Sequence, residues 1–423
     1  MATTIVQEKE KRPYFRNRLV IGLVLVGTGL LILLLFGLNV KAGQMASYEL
    51  TPRGDSQVIP IPGLTLPVQT SIYILALVAV FLGAWQLARG IRSNGVLVGV
   101  VAFCFVAAFL LWATAGKSMD LIGVLNTSVV RATPIALAAM CGVISERSAV
   151  INIGLEGIML SAAMAAVSAA TLTHNLYIGL AAAILTGAIL GAIHAVLVIR
   201  FKVDQIVSGT AINIIGSGAT NFMSARFLET NTEKLNNSGV FPNITIPLLV
   251  KIPILGPMLF ENNLIFYLTI ILVAVLYVVL FYTPWGLRTR AVGEHPKAAD
   301  TLGINVYLTR YVDVIIGGML AGIGGAYFTI GSIGRFDRLM TNGKGFIGLA
   351  AMIFGKWNPI GAYAASLIFG FADSLQVKMQ ILNIPIPSEF LQMAPYIVTM
   401  IVLAGVVGRA HPPAADGAVY EKQ

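Results

Sequence analysis

Asn263-Leu-Ile-Phe-Tyr-Leu-Thr-Ile-Ile-Leu-Val-Ala-Val-Leu-Tyr-Val-Val-Leu-Phe-Tyr-Thr283, followed at once by Pro284-Trp285, is a run without a single charge. As a helix it makes a rod of ~30 Å, the thickness of bilayer hydrocarbon. Similar runs, bounded by polar residues or by Pro and Gly, recur at 19–38, 71–88, 96–115, 121–143, 153–172, 177–199, 206–222, 312–332, 345–355, 361–377 and 391–408. Residues 345–355 are too few to cross alone and are expected as a half-helix packed inside protein, where irregular backbone is tolerated. The composition agrees: 57% of residues are hydrophobic and 11% charged, against about a quarter charged in soluble domains. The expected fold is an all-α polytopic transmembrane helical bundle with about 11–12 membrane segments.

A formal charge of +9 is of the sign that nucleic acid attracts, but the Lys and Arg residues are scattered through the connections. Membrane topology accounts for them. With alternating spans, one side carries 17 basic residues and the other 10, and Arg131 within a helix completes the 28. The richer side includes both termini and is read as cytoplasmic. Lys9 to Arg18 and the apolar run behind them resemble a signal peptide, but that run is longer than a signal's apolar core and no A-x-A site follows closely. It is kept as the first spanning helix. Cys104 and Cys141 lie in apolar runs without ligand spacing and read as core residues. Gly187-xxx-Gly191 and Gly318-xxx-Gly322 read as sites of close helix packing.

The connection after Thr283 is the most informative. Pro284 and Trp285 are read as ending the span at the interface. Pro296 then suits the first position of a short helix, and Gly303 suits its termination. A short rod held by two spanning helices is something that a partner could push. Ala291-Val-Gly-Glu-His-Pro-Lys-Ala-Ala299 with Leu302-Gly-Ile304 resembles the coupling-helix signature of ABC importer permeases of the branched-chain amino acid and simple-sugar superfamily. The resemblance makes Gly293, Glu294, His295, Pro296, Ala299 and Gly303 the ATPase-coupling loop.

Arg131-Ala-Thr-Pro134, Cys141-Gly-Val-Ile-Ser-Glu-Arg-Ser-Ala-Val-Ile-Asn-Ile-Gly-Leu-Glu-Gly157 and Gly343-Lys-Gly-Phe-Ile-Gly-Leu-Ala-Ala-Met-Ile-Phe-Gly355 resemble one branch of that superfamily. It is the permeases of nucleoside importers that depend on a basic-membrane-protein-type lipoprotein. The resemblance covers residues 120–408. It implies a subunit of the bacterial cytoplasmic membrane, forming half of a path for a small polar solute, nucleosides first. It also implies three partners: an ABC ATPase carrying ATP and Mg, a second, paralogous permease, and an external solute-binding lipoprotein. The lipid bilayer surrounds the chain, and no cofactor is expected on it. The expected organisation is 1–118 as an N-terminal extension with three spanning helices, 119–408 as the permease core and 409–423 as a cytoplasmic tail. Ala149, where the family has Gly, is a departure, as are the three added helices.

Residues for the solute path follow from intramembrane polarity. Asn152 and Glu156 are four apart and are expected to stack on one helix face. Asn213, Ser217 and Asn221 repeat that spacing. A stripe of neutral polar groups suits an uncharged polar solute, although interhelical hydrogen bonding would use the same residues. Arg131 falls near the middle of its helix, where an unpaired cation costs at least ~2.5 kcal/mol, so it should face the interior. Its partner is left open. Gly116-Lys117-Ser118 imitates the end of a Walker A loop, but Leu111 stands where that loop needs Gly. With no H-E-x-x-H or G-x-S-x-G motif either, the chain is not read as an enzyme. Two alternatives stay open: an ion-coupled secondary transporter using Glu156, Asp313 or Asp373 near predicted helix ends, and an ABC permease for simple sugars.

Overall fold

The computed structural model describes residues 14–51, 61–90, 94–382, 384, 386–387, 390–391, 393 and 411–422. Among them, nine helices are long and apolar enough to cross a membrane. The expected span at 391–408 lies almost wholly outside the described residues.

The chain forms two compact units. The first holds α1 (Tyr14–Ile32), strands β1 (Met45–Glu49) and β2 (Leu64–Pro67), α2 (Val68–Ala88), α3 (Asn94–Ala113) and β3 (Ser118–Asp120). The small sheet has the order β2-β1-β3, antiparallel then parallel. Helices α1 and α2 pack closely because Gly29 and Gly83 carry no side chain: a Cβ on Gly83 would lie 2.6 Å from the Val26 backbone nitrogen. Arg18 donates to the Gln86 carbonyl at 3.0 Å, satisfying the carbonyl end of α2 as a basic group at a C-terminus should.

The second unit contains α4 (Leu121–Arg147), α5 (Leu155–Thr173), α6 (Leu176–Ala195), α7 (Gln205–Met223), α8 (Thr232–Leu235), β4 (Asn243–Thr245), α9 (Leu255–Leu259), β5 (Glu261–Asn263), α10 (Leu264–Tyr282), α11 (Pro284–Glu294), α12 (Pro296–Thr301), α13 (Val306–Phe328), α14 (Lys344–Phe354) and α15 (Pro359–Ile381). Helix α14 is the expected half-helix. Helix α7 has the length of a span but is not among the nine, because Gln, Ser, Thr, Asn and Gly interrupt it. The long connection 223–262 is ordered by β4, which pairs antiparallel with β5.

The two glycine motifs turn out to be the two sides of one crossing. A Cβ on Gly187 would lie 2.1 Å from the Gly318 carbonyl oxygen, and one on Gly318 2.2 Å from that of Gly187. Helices α6 and α13 therefore touch backbone to backbone. Gly318→Leu is expected to force them apart at a cost of about 1–3 kcal/mol or more. Thermal unfolding in detergent checks this, and an unshifted midpoint would contradict it.

Candidate functional site

Four charged side chains of the bundle, those of Lys344, Asp373, Arg131 and Glu156, gather at the N-terminus of α14. Lys344 donates to Asp373 Oδ1 at 2.7 Å, and Arg131 donates to Asp373 Oδ2 at 2.7 Å. Asp373 is thus the partner that the sequence left open for Arg131. It lies inside α15 rather than near its end, because that helix continues to Ile381. The Arg131 side chain keeps 36% of its exposure, while those of Lys344 and Asp373 keep 12% and 7%. Part of the Arg131 side chain therefore remains accessible.

Glu156 completes the cluster. Its carboxylate accepts from Thr341 Oγ1 at 2.6 Å and from the backbone N–H groups of Gly343 and Gly345 at 2.8 Å each. Helix N-termini leave such donors unpaired, and an anion is the partner they favour. Gly343 enters α14 at φ +76°, a conformation that favours glycine.

The expected stacking of Asn152 and Glu156 on one helix face is corrected. Helix α5 begins at Leu155, and Asn152 lies before it in a turn. Its Oδ1 accepts from the Gly154 N–H at 3.0 Å, the local side-chain bond by which Asn competes with helix. The turn is held from two helices: the Ile151 N–H donates to Gln205 Oε1 at 2.6 Å, and buried His194 bonds the Ile151 carbonyl and Ser208 Oγ at 2.9 Å each.

Asn213 binds the same segment, accepting from the Gly157 N–H at 2.8 Å and donating to the Ile153 carbonyl at 2.9 Å. Ser217 bonds the Ile214 carbonyl of its own helix at 3.1 Å, and Asn221 is half-buried with its Oδ1 enclosed. Asn213 is therefore spent on holding backbone, which is the interhelical alternative to a solute contact.

The coupling loop is built from α11 and α12. His295 caps α12, its Nδ1 accepting from the Ala298 N–H at 3.2 Å, and Pro296 takes the first position. Gly303 follows at φ +82°. The Gly303 N–H reaches the Asp300 carbonyl at 2.9 Å, and the Ile304 N–H reaches the Ala299 carbonyl at 3.1 Å, the paired bonds of a Schellman ending. Ala299 is the buried residue of α12, whereas Glu294, His295 and Gly303 are exposed. Gly293 is buried where a Cβ would lie 2.2 Å from the Arg147 carbonyl oxygen.

Helix α10 ends at Tyr282, just before Pro284, as the Pro284-Trp285 pair leads one to expect. Pro284 opens α11, and Trp285 turns inward to donate from Nε1 to Asp313 Oδ1 at 2.9 Å, while Thr289 Oγ1 donates to Oδ2 at 2.9 Å. Asp313 lies within α13 rather than at its end, since that helix, capped by Asn305, begins at Val306, six residues before its apolar run at 312. Sequence reasoning missed Lys344, Thr289 and Trp357 as contributors. Trp357 donates to Glu146 at 2.5 Å, tying the turn after α14 to the end of α4.

At the opposite end, Arg338 clasps Glu229 with two bonds of 2.6 Å. That contact holds the Glu229 carboxyl below its ordinary range. Asn236 donates to the Phe336 carbonyl at 3.0 Å and accepts from its N–H at 2.6 Å. The two connections 229–241 and 334–343 therefore form one surface.

Known proteins can now be set beside this geometry. The guanosine ABC transporter permease protein NupQ of Bacillus subtilis is 42% identical over 72% of this chain and 99% of its own length. The nucleoside ABC transporter permease protein NupC of Lactococcus lactis is 43% identical over 70% and 95%. The putative glucose ABC transporter permease protein TsgC13 of Haloferax volcanii is 35% identical over 62% and 79%. No solved structure matches the chain. The nine apolar helices and these relatives make it a multi-pass membrane protein and a transport subunit rather than an enzyme. With residues 124–407 matching the model of the branched-chain amino acid transport system / permease component family, the chain belongs to that family.

Proposed function

We propose that this chain is the permease subunit of an ATP-driven importer of nucleosides, in which motion of α12 is passed through α11 and α13 to the half-helix α14. The observation that carries the substrate is the similarity over nearly the whole length of two relatives named for guanosine and for nucleosides. The geometry is compatible. The formal charges of Arg131, Lys344, Asp373 and Glu156 sum to zero, and Asp373 and Glu156 are each satisfied within the protein. A neutral solute with hydroxyls and an aromatic face meets no unpaired charge among these four, and the partly exposed Arg131 is itself paired with Asp373. A free amino acid, with carboxylate and ammonium, would call for complementary charge.

The orientation follows the basic residues, 17 against 10, with both termini, α12 and 411–422 in the cytoplasm. An ABC ATPase with ATP and Mg engages α12, a paralogous permease supplies the other half of the path, and an external solute-binding lipoprotein docks on the surface held by Glu229, Arg338 and Asn236. Residues 1–118 are an added three-span extension to the core.

Vesicles containing the full complex test the substrate. ATP-dependent uptake of labelled purine and pyrimidine nucleosides is expected, with ribose, glucose and leucine as controls. Uptake of a sugar or of leucine, and of no nucleoside, would reject nucleosides and keep the permease.

A further inference from the structure

Residues 411–422 lie past the region matched to the family, yet they touch most parts of the coupling apparatus. The Ala415 N–H donates to the Gly293 carbonyl at 2.9 Å, at the end of α11. The Ala414 N–H reaches Glu294 Oε2 at 3.3 Å. Arg310 of α13 donates to the Ala418 carbonyl at 3.2 Å, and Glu421 pairs with Lys202, between α6 and α7. Tyr420 is 5% exposed and closes a cluster with Val292, Ala299 and Val306. Its ring also meets that of Tyr307 at 5.2 Å.

Helix α12 has six residues and a single buried side chain, Ala299. A helix that short has no stability of its own. Its orientation comes from what covers Ala299, and Tyr420 is the largest buried side chain in that cluster, with Ile304 and Tyr307 packed against it.

We propose that residues 411–422 are a positioning strap for the coupling helix, seating α12 at the angle the ATPase subunit engages and forming part of the surface it meets. The proposal rests on the permease reading. Tyr420 is a positioning residue, acting through α12 and not on solute.

The test uses the purified full complex in vesicles, reading both uptake and ATP hydrolysis. Tyr420→Ala is expected to lower the solute moved per ATP by roughly tenfold, since losing one buried ring shifts a docking equilibrium by at least that factor. Tyr420→Phe, which keeps the ring, is expected to restore the ratio. A normal ratio in Tyr420→Ala overturns the strap. So that the result does not depend on one variant, Lys202→Cys with Glu421→Cys, in a chain with Cys104→Ser and Cys141→Ala, is treated with a short bifunctional thiol reagent. Cross-linking is expected in the assembled complex, and its absence also overturns the strap. If the unmodified chain captures no ATPase and shows no ATP-driven uptake, the permease reading fails instead.

Discussion

Asp373→Ala is expected to be among the most damaging single substitutions in the bundle, because it strips two cations of their shared anion. Lys344 and Arg131 each hold one oxygen of that carboxylate at 2.7 Å. Removing one member of a buried ion pair costs about 3–5 kcal/mol, chiefly because an uncompensated charge stays behind. The lower end of that range applies here, since the Arg131 side chain, at 36% exposure, can reach a more polar environment while Lys344, at 12%, cannot. Adding Lys344→Met to Asp373→Ala should recover much of the loss, as it removes the more deeply buried orphan. Arg131→Ala alone should cost least, for the Lys344 to Asp373 pair survives it. Thermal unfolding of the purified variants in detergent supplies this double-mutant cycle. If the double variant were as unstable as the sum of its parts, the charges would not be coupled as described.

That cluster also marks the limit of what the sequence makes legible. The Pro296 to Gly303 helix was readable because a proline and a positive-φ glycine act within a few residues. The glycine spacings told of close packing, but not that Gly187 would meet Gly318, because nothing local encodes which helix faces which. Arg131 and Asp373 stand 242 positions apart, and Glu156 finds its partners 185 or more residues away. Arg131, Glu156 and Asp373 were visible in apolar segments, and their pairing was not. Asn152 was misread for a different reason: a four-residue spacing assumes a continuous helix. Gly154 two residues on was the available sign that the Asn side chain would bond its own backbone and delay the helix to Leu155. Asn213, Ser217 and Asn221 do share one continuous helix, but spacing did not show that the Asn213 amide would hold both Ile153 and Gly157.

Asp313 separates the two mechanisms that the sequence left standing. An ion-coupled transporter would use such a carboxylate by charging and discharging it. Here it is fully enclosed and accepts two bonds from α11, one from the Trp285 indole and one from the Thr289 hydroxyl. It fastens the arm that carries α12 to the spanning helix α13. Asp313→Ala leaves both donors without a partner, at about 1–3 kcal/mol for each buried group. A marked fall in unfolding temperature is expected, with ATP-driven uptake lost along with the arm's attachment. Asp313→Asn should behave otherwise. Its amide oxygen still accepts from Trp285, and its NH2 can donate to Thr289, whose hydroxyl rotates to accept. Stability and uptake should both stay near those of the unmodified chain. Uptake abolished in a well-folded Asp313→Asn variant would mean that the charge itself is needed, and the fastening role of Asp313 would be wrong.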